Sequence, residues 1–502
     1  MSAAPAPSLW SSFAWAAPDA ARLKGFACPN CGDDGPKRPL LSVAWWSRSA
    51  PGTARPSDQM FCCETCGARF LLDLNRTSSG AEEYYPPYRL PFYVQQTAGL
   101  ETMTRLIARL LVRPEARYLD VGCNYGFTLD FARAAKGWQA EGVDPSASAV
   151  AGAAALSVPI APRLLAPEDA AKVRSGQSPG YDVVSAVEVI EHIGDPRGFV
   201  ALLRGMLAPG GVLALSTPAG GQLRPEAHDQ QVFSLLASGN HVVLQTRQSL
   251  EHVLRAAGFS HVTILPEGMG LCAYASDAPL MLEQNAALLR REYRNWLESA
   301  LDRTDLASDP YLGLAGRAMV EAANDGDEVM AARAWGKIRP AIQARYGFDP
   351  AGPLPHLPPH AGELVKQAPF CLGVLIYADA LTQVLMGGDR ARLASRFREA
   401  ARLCRDIQAA LAAGGFPGAD GQSKDLGWVA SAEALVCDVA ANDRMVLERL
   451  RDLPMPEAGA ARRAALVERL ITDAGNRGFA ELAERLTSRP TLPTNESFGR
   501  LK

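Results

Sequence analysis

From about residue 100 the chain alternates between two textures. Short apolar runs closed by Gly, Pro or Asp ("ARYLDVG", "AEGVD", "YDVVSAVEV", "GVLALST") are separated by stretches with apolar positions at helical spacing, such as "GFTLDFARAAKG" and "PRGFVALLRGML". Runs that are apolar throughout suit strands covered on both faces, and the intervening helices supply the cover. The pattern predicts an α/β fold with a mostly parallel sheet. "FSHVTIL" and "LCAYAS" follow with only a short turn between them, which predicts a closing antiparallel hairpin ending near Ser276.

Both flanks read differently. Residues 1–80 are rich in Cys, Pro, Trp and turn residues, with short extended runs such as "PLLSVAWW" and "ARFLLDL". An aromatic segment, "YYPPYRLPFY", then leads into an amphipathic helix. Its Tyr84, Tyr85, Tyr88 and Tyr93 are candidates for stacking on a substrate or for packing between the first module and the sheet. Beyond residue 276, stretches such as "LEQNAALLRREYRNWLESAL" and "RLASRFREAARLCRDIQAALAA" carry a helical period, interrupted by the proline-rich "PAGPLPHLPPH". A length of 502 residues exceeds one typical domain. Three are expected: a small module at 1–80, an α/β domain at 81–276 and an all-helical domain at 277–502. His356 and His360, in the proline-rich loop, could be called a metal pair, but with no further ligand nearby in sequence they are not read as one.

Charge and composition remove several function classes. A formal net charge of -3 offers no basic surplus of the kind that nucleic-acid or anionic-membrane partners leave. No apolar run approaches the roughly 20 residues of a membrane span. The N-terminal residues lack a basic stretch followed by a clean apolar core, so a cytoplasmic address is expected. Oligomeric state is not legible here.

Five of the ten cysteines crowd between Cys28 and Cys66, which needs a local cause. "CPNCG" (Cys28, Cys31) and "CETCG" (Cys63, Cys66) are two C-x-x-C-G knuckles. Each places two thiolates on a tight turn, and the following Gly takes the positive φ that points backbone amides at sulfur. Four thiolates suit a closed, structural Zn²⁺ site that stabilises a segment too small to fold alone. An unliganded or redox-active cysteine cluster is the competing reading. Cys62 beside Cys63 leaves the choice of ligand to spacing. Basic and acidic side chains nearly balance in this segment, so it carries no footprint for RNA, and a structural or substrate-gating module fits better.

The stretch "YLDVGCNYGFTLDFARAAKGWQAEGVDPS" (118–146) reads as a nucleotide-binding edge. A strand ends at Asp120, a turn with Gly122, Cys123, Asn124 and Gly126 follows, and a helix begins near Thr128. A second strand then ends at Asp144, followed by Pro145. Glycines let a ligand approach the backbone, and a carboxylate closing the second strand can accept from both ribose hydroxyls. A dinucleotide enzyme shares this logic. The stretch, with "GVDPS" and "LAPGGVLALSTP" (207–218), resembles the class I S-adenosylmethionine-dependent methyltransferases over about residues 90–276. The resemblance implies a Rossmann-like seven-stranded sheet, with Asp120 near the methionine end of the cofactor and Asp144 on its ribose. Asp169, in "APED", falls where the family places an acid near the adenine amine. Asn124 departs from the family's usual middle glycine, mildly, because Asn tolerates left-handed backbone.

"VEVIEHIGDP" (187–196) puts Glu188, Glu191 and His192 straight after a buried strand. On a helical turn, positions i, i+3 and i+4 share a face, so the three are expected to converge. A solvated helix start is the plain alternative. The stretch is similar to E-x-x-E-H in ubiquinone-pathway O-methyltransferases and in 2′-O-methyltransferases of small-RNA 3′ ends. That resemblance implies a divalent cation, Mg²⁺ or Mn²⁺, on Glu188, Glu191 and His192. In the RNA branch a later His completes the site, and "GNHVVLQTRQSL" offers His241 in a similar context. Without a metal, His192 would serve as a general base or a hydrogen-bonded wall. The expectation is therefore methyl transfer from S-adenosylmethionine to a hydroxyl oxygen of a small-molecule or glycan-like acceptor. An RNA 2′-O-methyltransferase and a non-catalytic zinc-stabilised scaffold are the alternatives. The ribbon–methyltransferase–extra-domain order also resembles sugar C-methyltransferases, whose last domain is α/β rather than helical.

Overall fold

The computed structural model describes residues 12–45, 57–75, 86–97, 99–414, 421–441, 443, 445–454 and 459–487. Its described residues gather into two compact units, Met1–Tyr85 with Gly99–Trp296, and Pro86–Ala98 with Leu297–Lys502. The first strands are β1 (Ser12–Trp15), β2 (Arg38–Ala44), β3 (Asp58–Cys62) and β4 (Arg69–Leu71). Helix α1 (Arg89–Gln96) belongs to the second unit.

In the first unit, α2 (Leu100–Ala108) precedes the alternation that the apolar pattern predicts. Its elements are β5 (Arg117–Val121), α3 (Phe127–Lys136), β6 (Gln139–Val143), α4 (Ala147–Leu156), β7 (Ile160–Ala161), α5 (Pro167–Arg174), β8 (Tyr181–Val187), α6 (Pro196–Arg204) and β9 (Leu207–Pro218). Then come α7 (Asp229–Leu236), β10 (Val243–Leu244), α8 (Arg247–Ala256), β11 (His261–Glu267) and β12 (Gly270–Ser276).

Seven strands form one sheet in the order β11-β12-β9-β8-β5-β6-β7. Neighbours from β9 to β7 are parallel, and β12 runs antiparallel to both β9 and β11, as the closing hairpin predicts. Leu119, Val184 and Leu213 pack one face of the sheet against Val200 and Leu203 of α6 and Leu250 and Leu254 of α8. The chain leaves β5 toward β6 and β7, then returns to β8 on the other side of β5. Order reverses there, so the carboxyl ends of β5, β6 and β8 border a crevice, the usual ligand position in open α/β sheets.

A second, antiparallel sheet has the order β1-β2-β3-β4-β10. Four of its strands come from the cysteine-rich N-terminal stretch, and the fifth comes from the segment after α7. Its core mixes the two sources: Met60, Phe61 and Phe70 pack with Leu235, Val243 and Leu244. A ribbon this small buries little apolar area alone, and the borrowed residues add to it.

Helix α9 (Ala286–Arg303) carries the chain into the second unit, which is all helical. It contains α10 (Asp309–Asn324), α11 (Glu328–Tyr346), α12 (Ala361–Gln367), α13 (Leu372–Leu385), α14 (Arg390–Ala413), α15 (Gly421–Ala440), α16 (Val446–Asp452), α17 (Gly459–Asn476) and α18 (Ala480–Thr487). Alanines on α13, α14 and α15 let the helices approach closely around Leu372, Ile376 and Phe397. Helix α1 is fastened here by two buried amides. The Gln95 side chain donates to Asp309 (2.6 Å) and accepts from the Phe370 N–H (2.6 Å), while Gln96 donates to the Phe370 carbonyl (3.0 Å). Tyr88 packs beside it against Leu364 and Leu411 and donates to the Gly414 carbonyl, so it is a core residue of the helical unit, not a stacking or ribbon-junction residue. Tyr84 and Tyr85 lie outside the described residues. Among the described residues no single helix is long and apolar enough to cross a membrane. The bent pair α12–α13 passes by length and composition only, with α13 mostly buried.

Candidate active site

β5 carries Asp120 into the sheet's interior, where the carboxylate accepts from Ser185 Oγ on β8 (2.6 Å) and from the Thr128 hydroxyl at the start of α3. Tyr118 shares a 2.6 Å hydrogen bond with the same serine. Complete burial raises the Asp120 carboxyl to about 6 even though both hydroxyls favour its charged form. In the turn above it, Gly122, Asn124 and Gly126 all adopt left-handed backbone (φ 74°, 46° and 88°). A Cβ on Gly122 would stand 2.6 Å from a Val189 methyl. Asn124 takes this conformation as expected of its side chain. Its N–H donates to Asp144 Oδ2 (2.8 Å), and the Ser146 N–H donates to Oδ1 (2.8 Å). Two backbone amides thus aim the Asp144 carboxylate at the turn. Cys123 is buried with its sulfur against Gly142, where a Cβ would lie 2.6 Å away, and Pro145 is exposed beside Asp144.

Asp169 lies apart from this group. It stands in the first turn of α5, accepts from the Ala166 N–H (3.0 Å), and pairs two-pronged with Arg163 (2.6 and 3.1 Å). That guanidinium holds its carboxyl below the usual range. Asp169 lines a cavity of about 440 Å³ with Arg163, Lys172, Ser178 and Tyr181.

After β8 the backbone departs from the expected helical turn. Glu188 itself is left-handed (φ 55°), a costly state for a residue with a Cβ and one that concentrates at functional sites. Only a single 3-10 turn, Ile190–His192, follows. Glu188 consequently parts from the other two. Glu188 swings to β9, where its carboxylate accepts from Ser216 Oγ (2.8 Å). The residue is solvent-exposed, and desolvation by the surrounding protein raises its carboxyl while the Ser216 hydrogen bond works the other way.

Glu191 turns inward and is 0 % exposed. Its Oε2 accepts from Thr217 Oγ1 (3.0 Å), while buried Oε1 has no hydrogen-bond partner and lies 4.0 Å from His241 Nε2. Burial, and then the Glu188 carboxylate, push the Glu191 carboxyl well up. His192 Nδ1 lies 3.0 Å from the Asn240 carbonyl, and His241 Nδ1 lies 2.6 Å from the Leu235 carbonyl. Each Nδ1–H donates to its carbonyl, so each Nε2 presents a lone pair. Burial lowers both imidazoles, His241 to about 3, with His192 adding to the effect. The rings meet edge to face at 4.7 Å, and ligand atoms of Glu191, His192 and His241 lie within 4.8 Å of one another. One carboxyl oxygen and two imine nitrogens thus converge, a set that suits a cation once it displaces the carboxyl proton. Glu188 is outside this group.

At the ribbon, Cys28, Cys31, Cys63 and Cys66 bring their sulfurs within 4.8 Å of one another, with Cys28–Cys66 and Cys31–Cys63 both at 3.7 Å. A regular tetrahedron with Zn–S of about 2.3 Å has S···S edges of about 3.8 Å. Gly32 and Gly67 are left-handed and donate to the Cys28 and Cys63 carbonyls (2.8 Å each), which closes the two knuckles. The Cys62 sulfur lies near the Cys63 carbonyl (3.7 Å), outside the four. Lys37, fully buried, pairs with Asp33 (2.6 Å) beside the knuckles.

Several polar partners of these residues escape sequence reasoning: Ser185, Ser216, Thr217 and Thr128. Their trace is faint but physical. Ser185, Ser216 and Thr217 are hydroxyls inside otherwise apolar strands ("VVSAV", "LALSTP"), and a buried polar residue is the informative exception in such a run.

The sequence profile of a family described as "Methyltransferase domain" matches residues 94–264. A ubiquinone biosynthesis O-methyltransferase of Xanthomonas campestris pv. campestris is 30% identical over 193 residues, which cover 38% of this chain and 72% of that protein. A protein of the same name from Burkholderia thailandensis is 29% identical over 157 residues, covering 30% of this chain and 67% of its own. Among solved structures, an S-adenosylmethionine-dependent methyltransferase from Archaeoglobus fulgidus is similar at a TM-score of 0.29 and 14% identity, covering 37% of this chain and 97% of its own. With the seven-stranded sheet and its glycine turn, the profile match and the Xanthomonas relative mean that the chain belongs to the class I S-adenosylmethionine-dependent methyltransferases and is an enzyme of that kind.

Proposed function

We propose that the enzyme methylates a hydroxyl oxygen of a small-molecule or glycan-like acceptor, with a divalent cation at Glu191, His192 and His241. The observation that carries this reading is the buried, unpartnered Glu191 Oε1 facing two imidazole nitrogens whose other nitrogens are anchored to carbonyls. A buried oxygen left without a donor costs about 1–3 kcal/mol, and a bound Mg²⁺ or Mn²⁺ would remove that cost. The likeness to O-methyltransferases supports oxygen as the acceptor atom.

The cofactor residues fit their group. Each Asp144 oxygen accepts one backbone N–H and keeps a lone pair for a ribose hydroxyl. Left-handed Gly122 leaves the turn's backbone open to close approach, and Asp120 would set the methionine end from below. Asp169, already paired with Arg163, would act on adenine only by exchanging that partner. When bound, S-adenosylmethionine supplies a methyl group already activated on sulfur. The chain's own work is then positioning. Glu188, exposed and held by Ser216, would accept a hydrogen bond from the acceptor. Glu191, His192 and His241 would hold the cation that favours deprotonation of the acceptor hydroxyl. Zn²⁺ is the ion we assign to Cys28, Cys31, Cys63 and Cys66, with no open position and a structural role. A cytoplasmic address fits ten cysteines free of disulfides.

The RNA reading is favoured by one observation, the arrival of His241 beside Glu191 and His192. It requires binding that weakens steeply with salt. The test is transfer of labelled methyl groups to a panel of phenols, catechols, glycans and short RNAs, before and after chelation, in the wild type and in His241→Ala. The proposal expects transfer to a hydroxylated small molecule or glycan that needs Mg²⁺ or Mn²⁺ and falls about 10-fold or more in the variant. Transfer indifferent to chelation would remove the cation from the reading, and transfer to RNA alone would replace the acceptor.

A further inference from the structure

We infer that the cysteine ribbon is the positioning element of the acceptor side of the active site. Loss of its knuckle geometry would displace Glu191, His192 and His241 while leaving the cofactor turn in place. The inference rests on the reading of those three residues as acceptor-side machinery.

The connection runs through the backbone of Val242. Its carbonyl accepts from the Leu71 N–H of β4 (2.9 Å), and its own N–H donates to the Glu191 carbonyl (2.8 Å). His241 is the preceding residue. β4 continues the link by pairing Phe70 with Val243 and Arg69 with Leu244. The other anchor of His241, the Leu235 carbonyl, comes from α7, whose Leu235 and Leu236 sit in the same apolar core as Phe70 and Met60. Trp45 of the ribbon meets Phe233 of α7 edge to face at 6.0 Å. The Arg69 guanidinium donates to the Leu223 carbonyl just before α7. On the far side of the turn, Leu74 lies so close to Gly194, two residues after His192, that a Cβ there would strike its carbonyl.

The knuckles are tied to the same region. Asn30 donates to the Ser249 carbonyl of α8 (3.0 Å) and lies 3.7 Å from Cys66 Sγ, and Gln248 donates to the Thr65 carbonyl (3.2 Å). The hydrogen-bond partners of Asp120 and Asp144 come instead from residues 124 to 185. The ribbon therefore grips one side of the crevice. It contributes the larger part of a shared core, and that core also takes in Leu223, Val232, Leu235 and Val242 to Leu244.

The test uses full-length protein with three substitutions that leave the three acceptor-side residues untouched. Phe70→Ala empties the shared core, Phe70→Leu largely refills it, and Cys31→Ser removes the least buried thiolate. Calorimetry reads S-adenosylmethionine affinity, selective ¹⁵N labelling reads the imidazoles of His192 and His241, and steady-state assays read kcat. The expected result for Phe70→Ala and Cys31→Ser is cofactor affinity within about 3-fold of wild type. Their His192 and His241 resonances shift or broaden, and kcat falls about 10-fold or more, while Phe70→Leu restores both. Unchanged imidazole resonances in Phe70→Ala and Cys31→Ser would overturn the inference. So would cofactor affinity falling in parallel with kcat, which marks a general stabiliser. A wild-type protein that moves no methyl group defeats the functional reading alone, since the resonances and the calorimetry still decide the positioning.

Discussion

Asp120 is a carboxylate kept dry beneath a ligand turn, and its energetics are testable without any substrate. Burial raises its carboxyl from 3.8 to about 6. The folded state therefore binds this proton more tightly than the unfolded chain between those values, and stability falls as pH rises through that window. The displacement is worth on the order of 3 kcal/mol. Denaturation midpoints of wild type and Asp120→Asn, compared at pH 4.5 and pH 7, should show the wild type losing ground to the variant at the higher pH. An equal difference at both values would contradict this assignment. Asp120 and Asp144 were legible in the sequence because the glycine turn and the acid closing the next strand are local features. Ser185 and Thr217 were not, because what makes them partners is a neighbouring strand whose register the sequence does not display.

At the scale of elements, the turn after β8 shows where periodicity misleads. Placing Glu188, Glu191 and His192 on one helical face assumed an α turn. Left-handed Glu188 and the short 3-10 turn instead send Glu188 to Ser216 and Glu191 to Thr217. The strand β10 is two residues long, too short for any apolar pattern, yet it completes the ribbon's sheet. The knuckle spacing, by contrast, was readable because C-x-x-C-G encodes its own turn. The contact between Leu74 and Gly194 allows a test at this scale. Gly194→Ala should lower the denaturation midpoint by the equivalent of about 1–3 kcal/mol, since the added methyl meets a backbone carbonyl that cannot rotate away. Gly221→Ala is the control, because a Cβ there meets nothing within 4 Å, and its midpoint should move by less than about 0.5 kcal/mol. Equal effects would mean that the turn yields freely and does not need the close approach.

At the scale of the whole molecule, the matched methyltransferase region is one part of a longer chain. The match to the Xanthomonas protein covers 38% of the chain, and the profile match runs from residue 94 to 264. The α/β alternation was legible because strands buried on both faces are apolar throughout. The helical unit was legible as helices, although the enrolment of α1 in it was not, since the buried amides of Gln95 and Gln96 look like surface residues in a sequence. The account as a whole depends on the crevice at β5, β6 and β8 holding S-adenosylmethionine. The most direct test is a calorimetric titration of the full chain with that cofactor, beside an Asp144→Ala variant. One cofactor bound per chain, with affinity about 10-fold or more weaker in the variant through loss of the charge-assisted ribose contacts, is the predicted result. Binding of equal strength in both proteins, or none in the wild type, would contradict it.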